Sequence, residues 1–258
     1  MPCSLSAEVF ARVDRSDVDA AVIPIENSLA GSVTEHYDLL FRHDVAVESE
    51  SLLRIRHNLI AIPDTDLSQI RRVYSHPVAL AQCRRFFEEH PQIEATPFYD
   101  TAGSVKQIME TDDDSTAAIA SARAASHYGG QILLAGIEDN PENFTRFFLI
   151  RRRDRLQPDP NPDKVSIAFT VENRPGTLVD ALQVFAGQGT NLTKIESRPV
   201  PGRPWEYVFY ADYQISDLTA ADAALKLLPS HCSMVRELGR YRAAHRPEPD
   251  SILPLPCR

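Results

Sequence analysis

The chain has 258 residues, of which 43% are hydrophobic and 24% are charged, and its formal net charge is -9. This balance is typical of a globular protein long enough for one large domain or two ordinary ones. The acidic excess argues against a dominant nucleic-acid surface, because binding phosphates requires a basic footprint.

The apolar segments argue against a membrane-spanning or secreted protein, and the cysteine spacing argues against a zinc or redox motif. No apolar run approaches the roughly 20 residues of a membrane span, and the N-terminus lacks the pattern of a signal peptide. Cys3, Cys83, Cys232 and Cys257 are widely separated and lack the pair spacing of zinc and redox motifs. We therefore expect free thiols, no membrane partner and a cytoplasmic location.

In chain order, the first 150 residues alternate between predicted strands and helices. The apolar run at 20–25 predicts a buried strand that ends at Glu26-Asn27-Ser28. The following elements are a helix at about 32–42, an extended segment at 45–62, a strand at 73–74, a helix at 77–89, a strand near 93–98, a helix at 102–110, a strand at 117–120, a helix at 121–128 and strands at 131–135 and 146–151. This alternation predicts an α/β fold with mostly parallel strands.

The segment 152–164 is rich in proline and charge, which is typical of a linker. Beyond it, the patterns predict a strand at 165–172, a helix at 176–187, strands at 192–200 and 205–215, a helix at 220–228 and a strand at 233–241. This βαββαβ order is the ferredoxin-like plan. The proline-rich tail from Arg246 predicts disorder.

Polar side chains lie at an end of three predicted strands. They follow two of these strands and begin the third. They are Asn27 and Ser28, Ser75 and His76, and Thr145 with Arg146. Ligands in open α/β sheets bind at strand ends. A threonine hydroxyl can hydrogen-bond a departing oxygen, and an adjacent arginine guanidinium can hold a carboxylate. Taken singly, each pair is more typical of a helix cap or a turn than of a site.

Taken together and in order, four segments resemble the catalytic domain of prephenate dehydratases. They are Ala-Val-Ile-Pro-Ile-Glu-Asn-Ser-Leu-Ala-Gly-Ser-Val at 21–33, Tyr-Ser-His-Pro-Val-Ala-Leu-Ala-Gln-Cys at 74–83, Ala-Ala-Ile-Ala-Ser-Ala-Arg-Ala-Ala-Ser-His-Tyr-Gly at 117–129, and Glu-Asp-Asn-Pro-Glu-Asn-Phe-Thr-Arg-Phe-Phe-Leu-Ile at 138–150. Residues 165–241 resemble the ACT regulatory domain that follows in that family.

The resemblance implies a domain plan. Residues 1–151 correspond to the bilobal, periplasmic-binding-protein-like catalytic domain, 152–164 to a linker, 165–243 to the ACT domain and 244–258 to a tail. The family normally begins with a strand and a Gly-Pro-x-Gly-Thr-(Phe or Tyr)-Ser loop that has no counterpart here. We therefore expect either a start codon assigned too far downstream or a true N-terminal truncation that lowers the activity.

The implied reaction converts prephenate into phenylpyruvate, with loss of carbon dioxide and the ring hydroxyl, in phenylalanine biosynthesis. Aromatisation supplies the driving force, so the resemblance implies no cofactor and no metal. By similarity, Thr145 stabilises the departing hydroxide and Arg146 holds a substrate carboxylate or the local fold. The remaining roles are orientation of the substrate by Asn27 and Ser28, and lining of the cleft by Ser75 and His76.

In the second domain, the resemblance implies a phenylalanine-binding site shared by two protomers of a homodimer or homotetramer. Its elements are Pro175, Gly176, Thr177 and Leu178, and the strand end Glu196, Ser197, Arg198 and Pro199. A glycine turn at a helix N-terminus suits a carboxylate, although a single glycine is more often only a tight turn.

Three alternative functions stay open. Arogenate, in which an amine replaces the side-chain ketone of prephenate, is an equally compatible substrate. A catalytically inactive homologue acting as an amino-acid sensor is the second alternative. The third is a small-anion-binding protein without chemistry, because fold alone does not establish a reaction.

Overall fold

A computed structural model describes residue 3 and residues 5–200, 202–203, 205–215 and 217–245 of the chain. Within these residues the backbone forms three β-sheets and divides into two compact units. The first unit contains the described residues up to Asn27, the segment Gly31–Leu53 and the described residues from Thr145 onward. The second unit contains Ser28–Ala30 and Arg54–Phe144.

The elements are numbered in chain order. Up to the linker they are α1 (Ser6–Asp14), β1 (Ala20–Asn27), β2 (Gly31–Ser32), α2 (Thr34–Arg42), β3 (Val45–Arg54), β4 (Asn58–Ala61), β5 (Arg72–Ser75), α3 (Pro77–Ala81), α4 (Arg84–Glu89), β6 (Glu94–Pro97), α5 (Thr101–Thr111), β7 (Thr116–Ala120), α6 (Ala122–Tyr128), β8 (Gln131–Ala135) and β9 (Phe144–Arg152). After it come β10 (Lys164–Thr170), α7 (Thr177–Gly187), β11 (Leu192–Pro199), β12 (Tyr207–Gln214), α8 (Leu218–Leu227) and β13 (Met234–Tyr241), and single 3-10 turns lie at Leu67–Gln69, Arg153–Arg155 and Leu228–Ser230.

The first unit contains two sheets. One has the order β2-β1-β9-β3, and β1 runs antiparallel to both of its neighbours. The other has the order β11-β12-β10-β13 with every pair antiparallel, which confirms the predicted ferredoxin-like plan. Apolar residues of α7 and α8 cover one face of this second sheet.

The opposite face of the β10–β13 sheet packs against the first sheet in one continuous core. Burial of this apolar surface joins the two sheets into a single unit. Close approach is possible at Gly239, where a Cβ atom would lie 2.2 Å from the carbonyl oxygen of Val47. The core includes Ile23, Ile25, Phe148 and Ile150 from one sheet and Val208, Tyr210, Leu238 and Tyr241 from the other.

The second unit is built around a five-stranded mixed sheet with the order β6-β5-β7-β4-β8. Here β5 is parallel to β6 and β7, whereas β4 is antiparallel to β7 and β8. Its two faces bury separate apolar clusters, one with α3 and α4 and the other with α5 and α6.

The expectation of mostly parallel strands is therefore wrong. Alternation of strands and helices indicates parallel pairing only when successive strands are neighbours connected by a crossover. Here β9 returns from a distant part of the chain and pairs antiparallel with β1. The predicted extended segment 45–62 is likewise two strands, β3 and β4, in different sheets. Helix α1 was not predicted.

The predicted helix at 77–89 is also divided, into α3 and α4. Cys83 has φ -126° and ψ 37°, outside the helical region. The carboxylate of Asp139 accepts hydrogen bonds from the backbone N–H groups of Arg84 and Arg85, both at 3.0 Å. A distant acidic side chain thus caps a new helix start that the local pattern does not reveal.

The remaining composition-based expectations have these outcomes. Cys3, Cys83 and Cys232 are free thiols, as predicted, and Cys257 lies outside the described residues, as does most of the tail. In the part of the chain that the structure describes, no helix combines the length and apolarity that a membrane crossing requires.

Candidate functional site

Asn27 and Thr145 lie side by side where β1 ends and β9 begins. They are cross-strand partners, brought into register by a bulge between Pro24 and Glu26. The Nδ2 group of Asn27 donates a hydrogen bond of 3.1 Å to Oγ1 of Thr145. Since this bond occupies an acceptor site of the hydroxyl, the hydroxyl proton is available for donation to another oxygen.

Arg146 points to the opposite face of the sheet, because successive side chains on a strand alternate. Only 7% of the residue is exposed. Its Nε donates to Glu50 at 2.5 Å, its Nη1 to Asp212 at 2.5 Å and its Nη2 to the hydroxyl of Tyr241 at 2.9 Å. Of the two predicted roles for Arg146, these contacts match the one of holding the local fold.

The hydrogen bonds around Arg146 form a closed ring. Arginine only donates, so the Tyr241 hydroxyl accepts from it and donates to Oγ of Ser166 at 2.5 Å. Ser166 in turn donates to Oδ1 of Asp212 at 2.5 Å, and Oδ2 of Asp212 accepts from Arg146. Lys164 lies 3.0 Å from Glu50, so two buried cations face two buried carboxylates.

Two members of this cluster, Arg146 and Tyr241, have pKa values shifted by their surroundings. Burial lowers the pKa of Arg146, but Tyr241, Asp212 and Glu50 raise it by more, so the guanidinium remains a cation. Burial and the nearby carboxylate of Asp212 raise the pKa of Tyr241 well above its ordinary value, so the phenol stays neutral.

Ser28 belongs to the second unit and uses its hydroxyl to hold the segment before Thr145. Its Oγ accepts from the backbone N–H of Phe144 and donates to the carbonyl of Glu142, both at 2.9 Å. Its own N–H donates to the carbonyl of Phe144 at 2.8 Å. Ser28 therefore fixes the entry into β9, and its predicted contact with substrate stays a prediction.

Ser75 and His76 end β5 in the same unit. Ser75 is fully buried, and its hydroxyl donates to the carbonyl of Ile119 at 2.7 Å, which ties β5 to β7. Its hydroxyl bonds the two strands together, and the predicted lining of the cleft by Ser75 stays a prediction. His76 caps α3, where its Nδ1 accepts from the N–H of Val78 at 3.2 Å. That bond leaves Nε2–H as the donor of the neutral ring.

Next to α3, the second unit has an open cavity of about 460 Å³. Its volume is within the usual size of small-ligand sites. The cavity wall mixes apolar side chains with an amide, a guanidinium and a carboxylate. It is formed by Leu29, Ala30, Val78, Ala81, Gln82, Arg84, Asp139 and Asn140.

A smaller cavity, of about 170 Å³, lies at the N-terminus of α7. Gly176 begins this helix with φ +90°, a conformation that favours glycine. Three aromatic residues form the other wall, and we call this cavity the aromatic pocket. Its lining is Val171, Glu172, Asn173, Arg174, Gly176, Thr177, Leu178, Val179, Trp205, Tyr207 and Phe209.

The predicted effector residues divide between this pocket and the opposite face of the sheet. Gly176, Thr177 and Leu178 line the aromatic pocket. Glu196 and Arg198 point away from it, toward Ser32 at 2.8 Å and Asp38 at 3.0 Å. Ser197 and Pro199 are on the pocket side of the sheet, and Pro175 adjoins Gly176 in the loop before α7.

Sequence reasoning missed the partners of Arg146. Glu50, Asp212 and Tyr241 are each almost completely enclosed, and they come from three different strands. One signal was available for Asp212, which is a lone acidic residue inside the apolar run of β12. A buried strand tolerates a carboxylate only when it is paired.

Comparison with known proteins identifies the family. A model of the prephenate dehydratase family matches residues 1–155, and an ACT-domain model matches residues 165–226. The chain is 40% identical over 252 residues to an Arabidopsis thaliana protein named arogenate dehydratase/prephenate dehydratase 2, covering 93% of this chain and 66% of that protein. The chain thus spans about two thirds of that relative.

Two solved structures share the fold class predicted from the sequence. A prephenate dehydratase from Arthrobacter aurescens, in complex with L-Phe, is 34% identical with a TM-score of 0.86, covering 94% of this chain and 81% of that one. A protein described as GqqA, a novel type of quorum-quenching acylase, is 33% identical with a TM-score of 0.85, covering 94% and 89%. On these matches, the chain belongs to the prephenate dehydratase family and carries a C-terminal ACT domain.

Proposed function

We propose that this protein catalyses the decarboxylating dehydration of prephenate to phenylpyruvate, under feedback control by L-phenylalanine. Family membership supports the reaction, and the phenylalanine complex of a relative supports the effector. The observation that carries the proposal is the hydrogen bond from Asn27 to Thr145, because it directs the threonine proton toward an external acceptor.

In this mechanism, the bond from the ring to the carboxylate breaks and carbon dioxide leaves. The released electron pair completes the aromatic ring as the C–O bond to the hydroxyl breaks. The oxygen departs as hydroxide, which takes a proton from solvent to become water. Thr145 donates a hydrogen bond to that oxygen as its negative charge develops, and this interaction is strongest in the transition state.

Arg146 contributes by holding β9 rather than by touching the substrate. Its three hydrogen-bonded partners fix the backbone next to Thr145. Catalytic hydroxyls act only when placed within about 0.5 Å of the productive position. Direct substrate contacts by Ser28, Ser75 and His76 stay predictions, as does a second role of Asn27 in orienting the substrate.

The proposed effector site is the aromatic pocket. The first turn of α7 directs backbone N–H groups toward an anion, and Trp205, Tyr207 and Phe209 suit an aromatic side chain. Binding between two protomers, in a homodimer or homotetramer, is part of the proposal. Glu196, Ser197, Arg198 and Pro199 are assigned to the strand beside this pocket.

The test measures phenylpyruvate formation by the full chain. In Thr145→Ala, kcat should fall about 10²- to 10⁴-fold while KM changes little. Thr145→Ser should retain much of the rate. Asn27→Asp should lose activity although Thr145 is intact, because a carboxylate accepts the hydroxyl proton and turns it away from the substrate.

The matched control is Asn191→Asp. Asn191 donates through Nδ2 to Gln214 at 3.1 Å in an exposed position, so the same change there should leave kcat unaltered. Wild-type rates in Thr145→Ala and Asn27→Asp would refute the assignment of the hydroxyl.

Arogenate is the second candidate substrate, favoured by the double name of the Arabidopsis relative. The same assay with both substrates distinguishes the two. Turnover of neither by the wild-type chain, with phenylalanine still bound, would instead favour the inactive amino-acid sensor.

A further inference from the structure

Strand β11 has two differently occupied faces. From Leu192 to Pro199 its side chains alternate between half-buried and exposed. The charged half-buried residues Lys194, Glu196 and Arg198 face the side of the first sheet. Leu192, before a register shift, packs instead in the cluster with α7 and α8. The exposed set lies on the same side of the sheet as the aromatic pocket. One backbone therefore carries two sets of contacts on opposite faces of the sheet.

The inner face of β11 is hydrogen-bonded to the hairpin that β1 and β2 form. Nζ of Lys194 donates to Oε1 of Glu26 at 2.8 Å and to Oγ of Ser32 at 2.9 Å. Ser32 donates to Oε2 of Glu196 at 2.8 Å. Only 11% of the Lys194 side chain is exposed, so these charge-assisted bonds are poorly screened by solvent.

The hairpin residues that Lys194 binds, Glu26 and Ser32, lie next to the candidate catalytic pair of Asn27 and Thr145. Glu26 is the cross-strand partner of Ser32, and Asn27 is the partner of Gly31. Asn27 also carries the hydrogen bond to Thr145. A shift of Glu26 therefore changes the position of the amide that orients the catalytic hydroxyl.

The outer face of β11 adjoins the aromatic pocket. Ser197 pairs with Phe209 and Pro199 pairs with Tyr207, so each exposed residue lies on the same face as its aromatic partner. Directly opposed side chains in antiparallel strands lie about 4.5–5.5 Å apart. Both aromatic residues line the pocket. A ligand in the pocket therefore contacts two residues of β12 whose cross-strand partners lie on the outer face of β11, the strand whose inner face binds the hairpin.

We propose that β11 couples the effector pocket to the catalytic hydroxyl through Lys194, Glu196 and Ser32. Phenylalanine in the pocket displaces β11, the contacts of Lys194 with Glu26 and Ser32 change, and the Asn27–Thr145 bond is altered. This inference rests on the proposed effector role of phenylalanine. It requires that phenylalanine bind the two arrangements of the hairpin with different affinity.

The test follows hydrogen exchange in the full chain with and without L-phenylalanine, and calorimetry measures the binding itself. In the wild type, exchange in the peptide covering residues 20–33 should change by about fivefold or more on saturation. Lys194→Met should still bind phenylalanine but should lose this change. Ser32→Ala, a smaller perturbation that removes the shared hydroxyl, should have the same effect.

The matched control is Asp222→Asn, which breaks the ion pair with Arg240 at 2.6 Å inside the ACT region. This variant should keep the wild-type response. Phenylalanine binding without an exchange change in the wild type, or a full response in Lys194→Met and Ser32→Ala, would overturn the coupling. Absence of phenylalanine binding to the wild type would overturn the effector site and the coupling together, while normal phenylpyruvate formation would leave the catalytic proposal standing.

Discussion

Replacing Asp212 by asparagine should destabilise the protein strongly. Asp212 is 3% exposed and accepts from Arg146 at 2.5 Å and from Ser166 at 2.5 Å. An asparagine oxygen can still accept from Ser166. It cannot balance the guanidinium charge, and its NH2 group adds a donor beside the donors of Arg146.

The magnitude follows from the charge balance of the buried cluster. Arg146 and Lys164 face Glu50 and Asp212, so two positive charges meet two negative charges. The variant removes one of these negative charges, so Arg146 and Lys164 share Glu50, and among the described residues Arg146 has besides it only the more exposed Glu26 at 3.8 Å. Removing one partner of a buried ion pair costs about 3–5 kcal/mol, a large fraction of a typical folding free energy of about 5–15 kcal/mol.

The assay is urea unfolding followed by far-ultraviolet circular dichroism. Trp205, the single tryptophan, is 76% exposed and so is a poor reporter of core unfolding. Asp222→Asn serves as the control, because its side chain is 48% exposed beside Arg240. The control should lose no more than about 1 kcal/mol.

A double variant isolates the interaction itself. Arg146→Met combined with Asp212→Leu removes one charge of each sign and leaves Lys164 paired with Glu50. The double variant should lose less free energy of unfolding than the sum of the losses of Arg146→Met and Asp212→Leu, by at least about 1 kcal/mol. Equal losses, within about 0.5 kcal/mol, for Asp212→Asn and the exposed control would refute the role assigned to the cluster.

Three other perturbations test the packing, the effector site and the thiols. Gly239→Ala should destabilise the protein by about 1–3 kcal/mol, because a Cβ would clash with Val47. Gly187→Ala, where a Cβ meets nothing within 4 Å, should not destabilise it. Equal urea-unfolding midpoints for the two variants would contradict this packing. Gly176→Val should abolish phenylalanine binding in calorimetry, because valine strains a backbone at φ +90°, and unchanged affinity would assign the ligand elsewhere. Burial raises the pKa of Cys83 to about 12, so this thiol should resist iodoacetamide at pH 8 until the protein is unfolded, and rapid labelling of the native protein would contradict its burial.

Sequence patterns alone determined the plan of the ACT domain and the position of Thr145. The order of β10, α7, β11, β12, α8 and β13 follows from short local patterns, each bounded by turn residues. Thr145 falls at a strand entrance because a polar turn precedes an apolar alternating run. Both depend on interactions between residues close in the chain, which local sequence records.

Only the tertiary structure decided strand directions, the break between α3 and α4 and the environment of Arg146. Asp139 caps α4 from 55 residues away along the chain, and Glu50, Asp212 and Tyr241 reach Arg146 from three separate strands. A strand pattern shows that alternate side chains face opposite sides. It does not show what each side meets, because that depends on which distant segment packs there.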